Sequence, residues 1–181
     1  EDSMAYRKGQ HLYFTTMHQE NSWQGSEWIP LGQAQNLFTV MSFVLDGVPM
    51  IYNGQEEPLE RSIRFYDKDT IAFENLGHAG FLSELIRLRT SHQALFPGEK
   101  GGRMTALQTT HADQVLAFKR KVPGDELICL FNCSNKPVSC NLVEGLDKAK
   151  YLEHFSKKKT ALQPGHAIEL EPWAYKIFIR Q

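Results

Sequence analysis

The chain has 181 residues, of which 41% are hydrophobic, and carries a net charge of −1 from 20 basic and 21 acidic side chains; that length suits one sizeable domain or two small ones. Balanced charge removes any global electrostatic case for nucleic acid or an anionic membrane as partner. The longest apolar stretch, Leu37 to Val48, is broken by Thr39, Ser42, Asp46 and Gly47 and falls short of the roughly 18 residues a membrane span needs.

In chain order, the opening Glu-Asp-Ser-Met has no leader pattern, so a processed, engineered or excised piece is expected and localisation is unread. His11 to Thr16 reads as a strand running into a polar loop, Met17 to Gly32. Gln33 to Leu45 places Leu37, Val40, Met41 and Val44 at helical spacing, with Asp46-Gly47 as the stop. Val48 to Tyr52 is a short, nearly all-apolar run with the pattern of a strand buried on both faces. A long polar connection leads to a second helix over Gly80 to Leu95. The order β-α-β-α is the unit of a parallel sheet with right-handed crossovers.

The character changes near Pro97-Gly98. Beyond it, strands are expected at Met104 to Thr109, Val115 to Lys121, Leu127 to Asn132, Val138 to Leu142, Tyr151 to Phe155, Ala167 to Leu170 and Ala174 to Ile179. Turn signals such as Pro123-Gly124-Asp125 and Asn135-Lys136-Pro137 separate them. Strands at this spacing without helices imply an antiparallel sandwich. Lys157-Lys158-Lys159 reads as a solvated turn and Trp173 as sandwich core. The three cysteines are too few for a disulfide framework; Cys133 and Cys140 could face each other across a hairpin, but that pairing is not the expected outcome. No ligand spacing suggests a metal site.

The expected fold class is therefore α/β followed by all-β, with residues 1–97 forming one domain and residues 98–181 the other. Two parallel strands and two helices cannot cover both faces and both edges of a sheet, so the first half reads as the end of something larger.

In barrels of alternating strands and helices, binding groups follow the carboxyl ends of the strands. That rule selects Met17 to Trp23 and Asn53 to Glu57. His18, Gln19, Glu20 and Asn21, then Gln55, Glu56 and Glu57, offer amides, carboxylates and an imidazole, with Trp23 and Trp28 nearby. Such groups suit a polyhydroxylated ligand, whose hydroxyls need paired donors and acceptors and whose ring faces stack on aromatics. Polar loop tops with ordinary capping roles would show the same composition.

At these residues the chain resembles the alpha-amylase family of glycoside hydrolases. Phe14-Thr15-Thr16-Met17-His18-Gln19-Glu20-Asn21-Ser22-Trp23 is similar to the family's seventh-strand motif, Asn-His-Asp, which one bacterial branch continues as Glu-Asn-Ser-Trp. Gly47 to Glu56 is similar to the eighth-strand motif, Arg64-Phe65-Tyr66-Asp67-Lys68-Asp69 to the segment after it, Phe81 to Leu95 to the last barrel helix, and Glu171-Pro172-Trp173-Ala174-Tyr175-Lys176 to the closing strand of the appended sandwich. The resemblance covers residues 11 to the end. It implies strands 7 and 8 of a (β/α)8 barrel, with their helices, followed by a C-terminal antiparallel β-sandwich.

It also implies a retaining mechanism acting on α-1,4-glucan, with two carboxylates roughly 5 Å apart. In the family these follow the fourth and fifth strands, to which nothing here corresponds, so no catalytic residue is assigned and the isolated chain is expected to be inactive. His18 matches the His that contacts the reacting sugar. Gln19 occupies the position of the Asp that grips two hydroxyls in the transition state, and Met17 replaces the Asn. An amide carries no charge there, and losing a transition-state electrostatic contact costs on the order of 10²–10³ in rate.

His18 and Gln19 are thus the expected substrate-binding residues, with Glu20, Trp23 and Trp28 as outer contacts and Gln55 and Glu56 as braces of the barrel mouth. Were the segment a strand, Glu20 would need a bulge to turn inward. The resemblance further implies an α-glucan or oligosaccharide partner, self-association through exposed barrel edges, and no cofactor in this chain, calcium belonging to other parts of the barrel. Family members of this type are often secreted or periplasmic. The alternative reading is a non-catalytic carbohydrate-binding or scaffold protein on an amylase-like frame, which Gln19 favours. A natural loss of cleavage, an altered specificity and an engineered substrate-trapping substitution all remain open as origins of Gln19.

Overall fold

The computed structural model describes residues 9–24, 31–57, 59, 61–143, 146 and 149–181. It divides the chain into two compact units, Glu1–Ser91 and His92–Gln181.

In the first unit, β1 (Leu12–Tyr13) runs parallel to β2 (Val48–Pro49). Val48 N–H donates to the His11 carbonyl at 2.7 Å and Met50 N–H to that of Tyr13 at 2.8 Å. Between them lie α1 (His18–Gln24) and α2 (Gln35–Val44), and α3 (Ala79–Ser91) follows β2. Helix α2 buries Leu37, Val40, Phe43 and Val44, as the 3.6-residue period requires. Its buried polar side chains bond within the helix: Gln35 Nε2 donates to Thr39 Oγ1 (3.0 Å), and Ser42 Oγ to the Thr39 carbonyl (2.8 Å). Helix α3 packs on α2, presenting Leu82, Leu85 and Leu88. From its last turn the buried Arg89 donates to the carbonyls of Phe43 (2.6 Å) and Gly47, placing a cation where α2 ends.

Three expectations change here. The segment after β1 is helical rather than a loop from Met17, and both strands are short. The run Val48 to Tyr52 is not buried on two faces, Val48 being exposed and its successors half-buried. Among the described residues no other strand pairs with β1 or β2, so nothing supplies the second cover that an apolar parallel strand needs. The second helix stops at Ser91, and Gln93–Leu95 forms a 3-10 turn.

The second unit is a sandwich. Strands β3 (Met104–Ala106), β4 (Val115–Val122), β5 (Asp125–Asn132), β7 (Ala149–Glu153), β8 (Lys159–Leu162) and β10 (Tyr175–Arg180) form one sheet in the order β3-β4-β5-β10-β7-β8. Strands β6 (Val138–Asn141) and β9 (Ala167–Leu170) form a second sheet of two. All recorded pairings in this unit are antiparallel. The core between the sheets includes Ala117, Ile128, Leu130, Cys140, Tyr151, Ile168, Leu170 and Phe178. Strand β5 is buried almost throughout. Alternation turns Leu127, Cys129 and Phe131 away from that core, and the turn Gln93–Leu95 packs against β4 and β5.

Further corrections concern this unit. Lys159 starts β8 rather than closing a turn, because the strand pairs with β7 from Lys159↔Leu152 onward. As for the cysteines, β6 pairs with β9, setting Cys140 opposite Ile168, and all three are free. Trp173 is half-buried at a turn before β10, with φ +56°, and its N–H donates to the Ser134 carbonyl; the strand starts two residues later, so Trp173 never joins the alternating face.

Glu126, nearly fully buried at one end of β5, accepts hydrogen bonds from the Tyr151 hydroxyl (2.7 Å) and Arg180 Nη1 (3.3 Å) and pairs with Lys121 Nζ at 3.0 Å. Burial pushes its pKa up, but Tyr151, Lys121 and Arg180 together outweigh it and hold the carboxyl below the ordinary glutamate value. Because the folded pKa is the lower one, this contribution is present above roughly pH 4 and is lost as pH falls through the folded value. Acid titration of the sandwich should show Glu126→Gln less sensitive to pH below that point than the unaltered chain, at a lower stability near neutrality. Parallel acid-unfolding curves for the two proteins would contradict the assignment.

Candidate functional site

Both carboxyl ends of the parallel pair lead into polar segments, and a few side chains tie these together. Gln55 is buried; its Nε2 donates to Thr15 Oγ1 at 2.9 Å and its Oε1 accepts from Tyr52 N–H. One amide thereby links the segment after β1 to the turn after β2. Gly54 makes that turn at φ +94°, with Ile71 Cδ1 only 2.7 Å from where a Cβ would stand, so a side chain there meets both strain and a clash. Glu57 accepts the Asn75 N–H on both carboxylate oxygens (2.8 and 3.0 Å). Glu56 is half-buried, and its Oε2 has no hydrogen-bond partner among the described residues; the same holds for the buried Thr16 Oγ1.

His18, Gln19 and Glu20 are exposed and form the first turn of α1. Because the segment is helical, successive side chains are rotated by about 100° rather than turned to opposite faces, and the strand alternation that would have called for a bulge at Glu20 does not apply. Asn21 points the other way. It is buried, and its Oδ1 accepts Ile63 N–H at 2.7 Å, fastening the connection beyond β2 to α1.

That connection is held by an ion pair of unusual completeness. Arg61 grips Asp69 through both nitrogens (2.7 and 3.1 Å) and donates to the carbonyls of Ser62 and Thr70, while Asp69 accepts the N–H groups of Arg64 and Thr70. The Arg61 guanidinium, then those two N–H groups, hold the Asp69 carboxyl far below the usual carboxylate range. Residues 61–70 are closed into a loop that presents Phe65 and Tyr66. The Phe65 ring stacks on His18 with centroids 5.9 Å apart and planes at 21°, and Tyr66 meets Phe65 edge-on at 4.9 Å. Phe65 is 44% and Tyr66 82% exposed. An imidazole and two aromatic rings on one exposed surface offer what a sugar ring needs: a flat apolar face and a directional hydrogen-bond partner.

The sequence of residues 104–177 matches the family model for the C-terminal domain of maltogenic amylase. The second unit is similar to that domain. Among curated proteins no sequence matches the chain. Solved structures share its fold across both units. The noncanonic maltogenic alpha-amylase AmyB from Thermotoga neapolitana aligns with a TM-score of 0.71 at 16% identity, over 91% of this chain and 40% of that one. The maltogenic amylase from S. marinus aligns at 0.64 and 19%, over 92% of this chain and 22% of that one. The AmyP structure in complex with maltose aligns at 0.65 and 14%, over 94% and 41%. The chain thus spans at most about two fifths of the length of these three structures. The resemblance to the C-terminal part of the alpha-amylase family, and the fold class it implied, are borne out.

In the first unit, His18 and Gln19 share the first turn of α1, and Gln55 and Glu56 lie in the turn that follows β2. Trp28 and the Trp23 side chain lie outside the described residues. Phe65 and Tyr66 were missed as candidates, although the motif containing them was recognised; their only sequence signal is two adjacent aromatics in a polar, charge-flanked loop. Among the described residues no three His, Cys, Asp or Glu side chains converge as a cation site, and no helix is long and apolar enough to cross a membrane.

Proposed function

We propose that this chain is the C-terminal portion of an alpha-amylase-like glycoside hydrolase acting on α-1,4-glucan, and that a glucose unit is held at the surface formed by His18, Gln19, Phe65 and Tyr66. The observation that carries this reading is the His18 ring stacked on Phe65 beyond the parallel strand ends. His18 would donate to a sugar hydroxyl, Gln19 would donate and accept through its amide, and the aromatic pair would cover a ring face. The nucleophile and the general acid of a retaining mechanism would belong to other barrel strands, so the isolated chain would not cleave glucan. The partnerless oxygens of Thr16 and Glu56 support a larger barrel, whose neighbouring strands would satisfy them. Relatives seen with maltose and maltotriose support the ligand class.

The test is a titration of the 15N-labelled chain with maltotriose. Saturable shifts at His18, Gln19 and Phe65 are expected, with affinity falling about tenfold in Phe65→Ala, the loss of one ring-stacking contact. Unchanged affinity in that variant, or no shifts at these residues, would remove the reading. A second reading, a non-catalytic carbohydrate-binding protein on the same frame, is favoured by the neutral Gln19. In a complete barrel Gln19→Asp would raise the hydrolytic rate on the first reading and leave it at background on the second.

A further inference from the structure

Phe65 and Tyr66 sit on a loop that is fastened at three places, two of them independent of the rings. Arg61 and Asp69 clasp its ends at 2.7 and 3.1 Å, and each also bonds the loop backbone, Arg61 at two carbonyls and Asp69 at two N–H groups. Ile63 N–H reaches the buried Asn21 side chain of α1 at 2.7 Å. The third fastening is Phe65 on His18, which stands three positions before Asn21 on the same helix and is therefore its neighbour one turn away. The loop thus lies along α1 with its aromatic pair between two anchored stretches. A loop fixed in this way gives up little further freedom when a ligand arrives, which is how preorganised sites gain affinity.

The two rings are not equivalent. Phe65 lies nearly parallel to the His18 ring, at 21°, and is 44% exposed, whereas Tyr66 is 82% exposed. Their planes stand at 75° with centroids 4.9 Å apart. One flat sugar ring cannot stack on two faces set at that angle: lying on one, it meets the other edge-on. Full use of both faces takes two sugar rings, joined by a linkage that lets one turn relative to the other. Tyr66 also offers a hydroxyl that donates and accepts. A tyrosine held this open to water forgoes the burial that ordinarily stabilises an aromatic side chain.

We infer that residues 61–70 are a preformed platform for two linked sugar units, one at His18 and Phe65 and the adjoining one on Tyr66, so that the surface selects an oligosaccharide over a single glucose. This rests on the reading of the His18 surface as a glucan site and names what that surface prefers. Phe65 and Tyr66 touch the ligand; Arg61, Asp69 and Asn21 are positioning residues that act through the loop.

The 15N,13C-labelled full chain is titrated separately with glucose and with maltose, alongside Tyr66→Ala, Tyr66→Phe and Asp69→Asn. Saturable shifts at His18 and Phe65 are expected with both sugars, and maltose should bind about tenfold tighter, the worth of one further ring-stacking contact. Tyr66→Ala should bring maltose to within about threefold of glucose, and Tyr66→Phe should keep the difference, because stacking needs the ring and not the hydroxyl. Asp69→Asn opens the clasp and should weaken both sugars several-fold while leaving their ratio in place. Proton contacts between His18 and Phe65 should be present before any ligand is added. Equal affinities for the two sugars, or a ratio that Tyr66→Ala does not move, would overturn the two-unit platform and leave the His18 surface standing. Absence of the His18–Phe65 contacts without ligand, or unchanged affinities in Asp69→Asn, would overturn the preformed loop. No saturable shift with either sugar would remove this proposal together with the reading of the His18 surface.

Discussion

Arg120→Met should lower the stability of the sandwich by about 3 kcal/mol, the cost of removing charge-assisted bonds and leaving their acceptors unpaired. Arg120 has no solvent exposure, yet it sits in the middle of β4. Its Nε donates to the Gly102 carbonyl at 2.7 Å and its Nη2 to the Phe96 carbonyl at 2.8 Å. One guanidinium thereby gathers the chain on both sides of the turn at residues 98–100, next to Gly101, where a Cβ would stand 1.7 Å from the Phe96 oxygen. Methionine keeps much of the volume and none of the donors. For a unit of this size the loss corresponds to a melting temperature lower by more than about 12 °C. Arg120→Lys should recover only part of it, because a single ammonium lacks the planar fork that reaches both carbonyls. Calorimetry gives the magnitude, and hydrogen exchange of the β4 and β5 amides assigns it to this unit. A Met variant melting within about 2 °C of the unaltered chain would contradict the bonding role.

Gly47→Ala should have the second largest effect, confined to the other unit. A Cβ at Gly47 would lie 2.5 Å from the His11 carbonyl oxygen and 2.6 Å from the Tyr13 ring. That oxygen is also the acceptor for Val48 N–H, while the Gly47 carbonyl is held from the far side by Arg89. Gly47 therefore cannot retreat without breaking one of these bonds. Overpacking against fixed neighbours costs about 1–3 kcal/mol, and here the strand pair that carries both polar segments is what gives way. Loss of protection at the Val48 and Met50 amides is expected, with the β4–β5 amides unchanged. The His18 and Phe65 resonances should move as well, because α1 follows β1 and the loop at residues 61–70 follows β2. Full protection of Val48 in the variant would show that the clash is absorbed elsewhere.

The two substitutions differ in how far they could be anticipated. Gly47 stood in a recognisable helix stop, Asp46-Gly47, so its place was legible even though the contact with His11 was not. Arg120 carried no such signal, because an Arg between two lysines on a strand ordinarily faces solvent. Its burial depends on carbonyls 18 and 24 residues away in sequence. The same distinction separates the proposed site residues. His18, Gln19, Gln55 and Glu56 were legible from paired local motifs and from the position of binding groups beyond parallel strands. Phe65 was not, since its stacking on His18 links positions 47 residues apart through the Arg61–Asp69 loop.

What the sequence by itself determined is local: the apolar stripes of α2 and α3, the turn residues between sandwich strands, and the motifs that resemble the alpha-amylase family. These follow from side-chain period and backbone preference, which act over a few residues. Only the tertiary structure decided that β10 lies between β5 and β7, that β6 pairs with β9, that the polar segment after Met17 is helical, and that Lys159 opens a strand. Each of those outcomes is fixed by which distant partner satisfies a backbone hydrogen bond or covers an apolar face, and such long-range pairing leaves no periodic trace in the chain.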